Sequence, residues 1–368
     1  MLARLSEVSW GGLIGGSGAP ATELPSAIEQ IASPDREAAV EALDVVRGEI
    51  WRDGAIFQVT PQVVPFLVEL ALDPVVLVRP PILQLLAFLF AGEGPTLTAL
   101  RNPEGGQGPG AAIQSKLAVE REWVDATRLA VRRPLHDYLA LCADEDRDVR
   151  VAAACLVTVF RDRDAEPEVR RALTRRYSDE TDEIVRATLI GCLNVYLPST
   201  HLELYDLALE NDPSLLVRRE AAHSLAAVLR EETPQLAAAT LLEAVLRAQE
   251  LDPLYAGVAW NRRGVVADSV WAVTRMGVNA RALLRYLEKL VRRVPPRDGL
   301  DVAEAALLIA FEGPASSRSL ADLAPDQASL LRALAETDGI WGQELPRMLA
   351  HYGLPRDQSS LRSLLGRS

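Results

Sequence analysis

Residues 146–160 read DRDVRVAAACLVTVF, and the pattern returns as DEIVRATLIGCLNVY at 182–196 and PSLLVRREAAHSLAAVL at 213–229. An earlier copy, DPVVLVRPPILQLLAFL, spans 73–89. In each, a Val-Arg pair opens an apolar helical stretch. The arginines are Arg79, Arg150, Arg186 and Arg218, at intervals of 71, 36 and 32 residues, the first being two periods. Self-similarity at this period marks stacked helical hairpins, because one hairpin cannot bury its apolar face alone and its neighbours complete the core.

The repeated residues have structural work to do. Val149, Ala152, Ala153, Leu156 and Phe160 fall at i, i+3, i+4, i+7 and i+11, which is one buried face of a helix. Five residues before each valine stands an acid: Asp73, Asp144, Glu180 and Asp212. Placed ahead of the helix, it is expected to cap free amides and meet the positive end of the helix dipole. The arginine, one residue past the buried valine, is expected to reach an acid or a loop carbonyl of the adjacent unit. The result would be a ladder along the stack.

Composition agrees. Of 368 residues, 49% are apolar, enough for a continuous core, and no alternating β-branched run argues for a sheet. An all-α chain is expected. The net charge of −12 is the wrong sign for general gripping of nucleic-acid phosphates, and it suits a basic partner. Cys142, Cys155 and Cys192 lie in apolar helical stretches without CxxC spacing, as small buried hydrophobes of a reducing compartment do. The opening MLARLSEVSWGGLIGG lacks the features of a signal peptide, and no apolar run is long enough to span a membrane, so the cytoplasm is expected.

Along the chain, residues 1–24 are a glycine-rich lead-in, 25–312 a repeat array, and 313–368 a less regular helical cap. Ser33-Pro34 is expected to open the helix that runs to Ile50. The Gly- and Pro-crowded stretch 92–112 is expected to be a long loop insertion. Further helices are expected at 115–131, 134–141, 166–176, 201–210, 234–250, 257–276, 279–294 and 299–312.

The helices of the form D-x4-V-R-x-x-A-A and the Asp-Pro turns resemble HEAT repeats over most of 25–312. SPDREAAVEAL, EIWRDGAIFQVTPQVVPFLVELALD and YGLPRDQSSLRSLL are similar to a bacterial group of HEAT-like, PBS-lyase-type repeat proteins. The resemblance implies a right-handed α-solenoid of antiparallel helix pairs. It implies little about activity, because members of the group mostly lack a defined one.

Chemistry is sparse. His136, His201, His223 and His351 stand in no metal-ligand spacing; His136 and His201 are expected at the surface and His223 packed within its helix. GGLIGGSG at 11–18 follows no strand and lacks the lysine of a phosphate loop. No catalytic residue, metal ligand or cofactor site is nominated.

One segment departs from the acidic average. Between Trp260 and Arg297 there are nine basic residues against Asp268 and Glu288, a local balance of 9 − 2 = +7. Trp260 and Trp271, eleven apart, are expected on one helix face, and Trp with Arg is a common anchor of binding surfaces. Trp260, Arg262, Arg263, Trp271, Arg292 and Arg293 are therefore the candidate partner-binding residues. Glu243, Glu250 and Asp252 are the expected neutralising partners.

The function expected is a non-enzymatic scaffold that holds a protein partner, as a regulator or a toxin-neutralising protein does. The alternative is a nucleic-acid-binding protein or alkylated-DNA glycosylase of the HEAT-like kind, with Trp260, Arg263, Asp268 and Trp271 at the lesion. A bilin-lyase role ranks last, for no distinctive residue supports it.

Overall fold

The computed structural model describes residues 2–101, 111–160, 165–196, 201–258, 263–311, 313–315 and 317–366. Among them are twenty α-helices and one two-stranded hairpin, so the protein is all-α. The chain divides into two compact units, Met1–Tyr196 and Leu197–Ser368.

The first unit holds α1 (Leu24–Gln30), α2 (Arg36–Ile50), α3 (Thr60–Leu72), α4 (Arg79–Ala91), α5 (Pro95–Arg101), α6 (Ala111–Arg132), α7 (Leu135–Leu141), α8 (Arg147–Val159), α9 (Glu166–Asp179) and α10 (Glu183–Tyr196). Between α2 and α3, β1 (Trp51–Arg52) pairs antiparallel with β2 (Ala55–Ile56). Asp53 (φ 51°) and Gly54 (φ 90°) supply the left-handed turn that a tight hairpin needs. Helices pack with sequence neighbours and with helices two to four further on: α3 on α4 and α6, α4 on α8, and α8 on α7 and α10. The predicted face of α8 is the buried one, with Val149, Ala153 and Leu156 wholly inaccessible.

The arginine ladder forms in this unit. Arg79 donates Nε to the Ala71 carbonyl (3.1 Å) and meets Asp144 with Nη2 at 2.6 Å. Arg150 donates to the Asp144 carbonyl at 2.9 Å and to Glu180 at 2.9 Å. Arg176 closes the run on Glu180 at 2.6 Å. Burial by itself would raise the carboxyl pKa of Asp144 and of Glu180. Backbone N–H donors and the arginines outweigh it and hold both below the ordinary range.

Capping is offset from the expectation by two residues. The Asp144 carboxylate accepts from Asp146 N, and the Asp146 carboxylate then accepts from Asp148 N at the start of α8. Glu180 and Asp182 repeat the device before α10, and Ser33 and Asp35 before α2. Before α8 and α10 the acid five residues ahead of the valine shapes the turn and Asp146 and Asp182, two further on, are the caps; before α4 that place is Val75, which has no capping group. Asp35, not Ser33, caps α2.

The lead-in of residues 1–24 packs on the helices: Leu5 and Trp10 are buried, the Trp10 ring lies 6.1 Å from that of Phe66, and Leu2 N donates to Glu69. One more expectation is corrected here. The stretch 92–112 is not all loop, since Pro95 opens α5 and Thr96 anchors it to the buried Glu120 of α6 through N and Oγ. Residues 102–110 lie outside those described.

The second unit holds α11 (Leu202–Asn211), α12 (Leu215–Leu229), α13 (Gln235–Leu246), α14 (Ala248–Tyr255), α15 (Val265–Thr274), α16 (Ala280–Val291), α17 (Pro296–Ala310), α18 (Pro325–Glu336), α19 (Glu344–His351) and α20 (Gln358–Leu364). α12 packs on α11, α13 and α15; α15 packs on α13 and α17; α16 packs on α17 and α18; and α17 packs on α19. The helices expected at 234–250 and 257–276 are redivided. Helix α13 stops at Leu246, α14 takes up 248–255, and α15 starts only at Val265. Gly264, at φ 104°, cannot continue a helix, and Asp252 accepts from Val265 N to start the new one. His201, expected at the surface, is 94% buried at the head of α11.

Candidate functional site

The residues that carry chemistry in the second unit gather where α12, α14, α15 and α17 meet. At the centre is Arg219, a wholly buried guanidinium on α12. Its Nη1 donates to Glu220 Oε2 (2.6 Å) and Tyr255 OH (3.1 Å), and its Nε donates to Ser269 Oγ (3.1 Å). The guanidinium also lies 4.6 Å from the Tyr255 ring centroid. Tyr255 passes the connection on, donating its hydroxyl to Asp268 Oδ2 at 2.8 Å.

The electrostatics follow from burial. A buried guanidinium tends to lose its proton, but the charge of Glu220, with Tyr255 and Asp268, more than offsets this and holds Arg219 charged. Burial raises the Tyr255 hydroxyl, with Glu220 and Asp268 adding and Arg219 opposing, so it remains a donor. His223, one turn beyond Arg219, is pushed below its ordinary value by burial and then by Arg219, so it is neutral at pH 7. Arg219 Nη2, His223 Nδ1 and Trp271 Nε1 are buried atoms with no hydrogen-bond partner among the described residues.

Around this hub the surface is acidic. Asp298 and Asp301 on α17 are both raised above the ordinary carboxylate range. Burial is the main cause for each, followed by Asp252 for Asp298 and by Glu304 for Asp301. Arg263 opposes the shift at Asp301, and its guanidinium lies 6.0 Å from the Trp271 ring centroid.

The six candidate residues therefore fall into separate places. Arg263 and Trp271 come together beside Asp268 and Asp301. Arg292 and Arg293 lie at the far end of α16, where Arg292 is held by Glu288 (3.2 Å) and Glu336 (3.1 Å). Trp260 and Arg262 lie outside the described residues. The neutralising acids differ from those expected: Glu243 and Glu250 pair with Arg247, while Asp326 pairs with Arg281. Sequence reasoning missed Arg219, Glu220, Tyr255 and Ser269. The only signal was a second arginine in LLVRRE, where the other copies have one.

The three cysteines are free thiols. Burial, then Cys192, pushes Cys142 up to about 12, which leaves it inert. Among the described residues no group of His, Cys, Asp and Glu is placed to hold a metal ion, and no helix is long and apolar enough to cross a membrane. No family model matches the chain, and neither does any curated protein or solved structure.

Proposed function

We propose that each unit is a right-handed α-solenoid of antiparallel HEAT-like helix pairs, and that the protein is a non-enzymatic cytoplasmic scaffold. It holds a basic protein partner on the face formed by α12, α15 and α17. The repeated Val-Arg helices and the direct packing of α4 on α8 and of α8 on α10 support the architecture. One observation carries the function: Asp298 and Asp301 are half-buried carboxylates, raised by burial and by neighbouring acids and incompletely offset by Arg263 and Arg297. A cation from a partner would offset the cost of holding these partly buried carboxylates charged, and the net charge of −12 would steer it in.

The test is affinity capture of the tagged chain from its native lysate, with and without nuclease, beside an Asp301→Asn/Glu304→Gln variant. A stoichiometric, nuclease-resistant basic protein that the variant loses is the expected result. Recovery of nuclease-sensitive material alone would refute the reading.

A second reading has one observation in its favour. Arg263, Asp268 and Trp271, three of the residues expected at a lesion in a HEAT-like glycosylase, do gather in one place. Release of alkylated bases from methylated DNA, abolished by Asp268→Asn, is its test.

A further inference from the structure

The buried side of α16 is apolar: Leu283, Leu284, Leu287, Leu290 and Val291 seat it against α17 and α18. The opposite side carries Arg281, Arg285 and Lys289, and Arg292 and Arg293 follow in the turn after the helix, all exposed. Carboxylates hold the two flanking charges, since Arg281 pairs with Asp326 (2.7 Å) and Arg292 with Glu288 and Glu336. The other three, Arg285, Lys289 and Arg293, have no ion-pair partner among the described residues. Arg285 and Lys289 stand four residues apart on one face of α16, and Arg293 follows in the turn beyond its end.

Like charges at four-residue spacing repel along a helix and weaken it. The chain has 51 acidic residues to draw on, and α18 already delivers two of them to this helix. Lys289 and Arg293 stand at the C-terminal end of α16, where the helix dipole favours cations, but Arg285 lies mid-helix without that support.

We infer that this face of α16 is a docking strip for an acidic polypeptide segment. Arg285 and Lys289 stand about 6 Å apart along the helix axis, and Arg293 continues the row past the last turn. A helical segment with carboxylates at four-residue spacing repeats the same interval and meets each cation in turn. The strip also has a floor. Ala282, Arg285, Tyr286, Glu288 and Lys289 line a shallow depression of about 350 Å³. Tyr286 is fixed in it, its hydroxyl donating to the Leu242 carbonyl of α13 at 3.4 Å. The small Ala282 leaves room for an apolar side chain of the bound segment beside the Tyr286 ring.

The surroundings select against other polyanions. Glu288 lies in the depression, and Asp326 and Glu336 flank it, so a phosphodiester chain running on past three phosphates meets carboxylates. An anionic membrane surface is favoured by apolar side chains that enter the lipid. None of the large exposed hydrophobic residues described lies between 280 and 293. This inference does not depend on the acidic face of the scaffold reading, which uses other residues.

The test uses the full chain and a fluorescent, alanine-rich peptide with glutamate at every fourth position, followed by anisotropy. The competitors are a scrambled peptide of the same composition, an oligothymidylate and phosphatidylserine vesicles. Exposed ion pairs contribute roughly two- to fivefold each to affinity, so Arg285→Gln/Lys289→Gln/Arg293→Gln should weaken binding roughly tenfold to a hundredfold. Raising the salt from about 20 to 150 mM should weaken wild-type binding and close most of that gap. Arg281→Gln, whose charge is already paired, should change little. Each variant is first checked for native helicity, and the single variants Arg285→Gln and Lys289→Gln read the strip separately if the triple variant misfolds. Three results would overturn the inference: unchanged affinity in the triple variant, equal binding of the scrambled peptide, or preferential binding of the oligonucleotide or vesicles through the same three residues. Loss of the strip should leave capture through Asp301 and Glu304 intact, so the two readings fail separately.

Discussion

Replacing Arg219 by methionine tests the hub of the second unit. Methionine keeps the reach of the side chain and removes the charge and the donors. Glu220, 5% exposed, then loses a 2.6 Å ion pair, and Ser269 Oγ loses its donor. Tyr255 still donates to Asp268, so that link survives. Breaking a buried pair by removing one partner costs about 3–5 kcal/mol, because the remaining charge is stranded. That is a large share of the roughly 5–15 kcal/mol that stabilises a typical domain. Removing both charges, as Arg219→Met/Glu220→Leu, strands nothing and should recover most of the loss. The two units need not unfold together, so a single denaturation midpoint is ambiguous. Hydrogen exchange along α12 and α15 under mild urea reads the loss locally. A cost below about 1 kcal/mol for Arg219→Met would sink the argument, and so would a double variant no more stable than the single one.

Three other outcomes follow from the same contacts. Asp144 and Glu180 have depressed pKa values, so their contribution is complete above their unfolded values of 3.8 and 4.5 and is lost as pH falls through the folded ones. Acid unfolding of the first unit should therefore flatten in Asp144→Asn/Glu180→Gln, with stability at neutral pH already reduced. His223 is a base with a lowered pKa, so the second unit should lose stability as pH falls below about 6.5, where the unfolded chain takes up a proton and the folded one resists it; His223→Gln should remove that slope, and an unchanged slope in the variant would exclude the histidine as its source. Leu156→Ala on the buried face of α8 should cost about 2–5 kcal/mol by urea titration with the slope unchanged, and a cost below 1 would place Leu156 outside the core.

What could be read in the sequence depended on whether a residue's role is local. The buried face of α8 and the arginine ladder were legible because periodicity fixes which way Val149 points and where Arg150 stands beside it. The caps were misplaced by two residues because several polar side chains precede each helix, and only backbone geometry shows which one meets the free N–H. The helix at 95–101 was hidden because glycine and proline signal breaks, while the contact that stabilises it, Thr96 with Glu120, spans 24 residues. The hub was hidden for a similar reason. Arg219 and Glu220 read as an ordinary charged pair until Tyr255 and Ser269 arrive from 36 and 50 residues away.

Arg218 and Arg219, neighbours in one repeat, make different contacts. Arg218 holds the repeat position and does its usual work, donating to the Asp212 and Pro213 carbonyls as Arg150 donates to Asp144 and Glu145. Arg219 is the added residue. One position further round the helix, it turns into the core, where two of the other copies carry valine or alanine, Val151 after Arg150 and Ala187 after Arg186, and the third has Pro80 after Arg79. Val151 and Ala187 are buried, so in those copies the position belongs to the apolar core. A guanidinium there is costly unless every neighbour changes with it, and Glu220, Tyr255, Asp268 and Ser269 are those neighbours. Substituting Arg219 and Glu220 back to valine and alanine should therefore preserve the α12 core but release Tyr255 and Asp268 from the hub. If that double variant keeps its fold and loses capture of the partner, the hub serves binding. If it keeps both, the hub is a tolerated variation on the repeat.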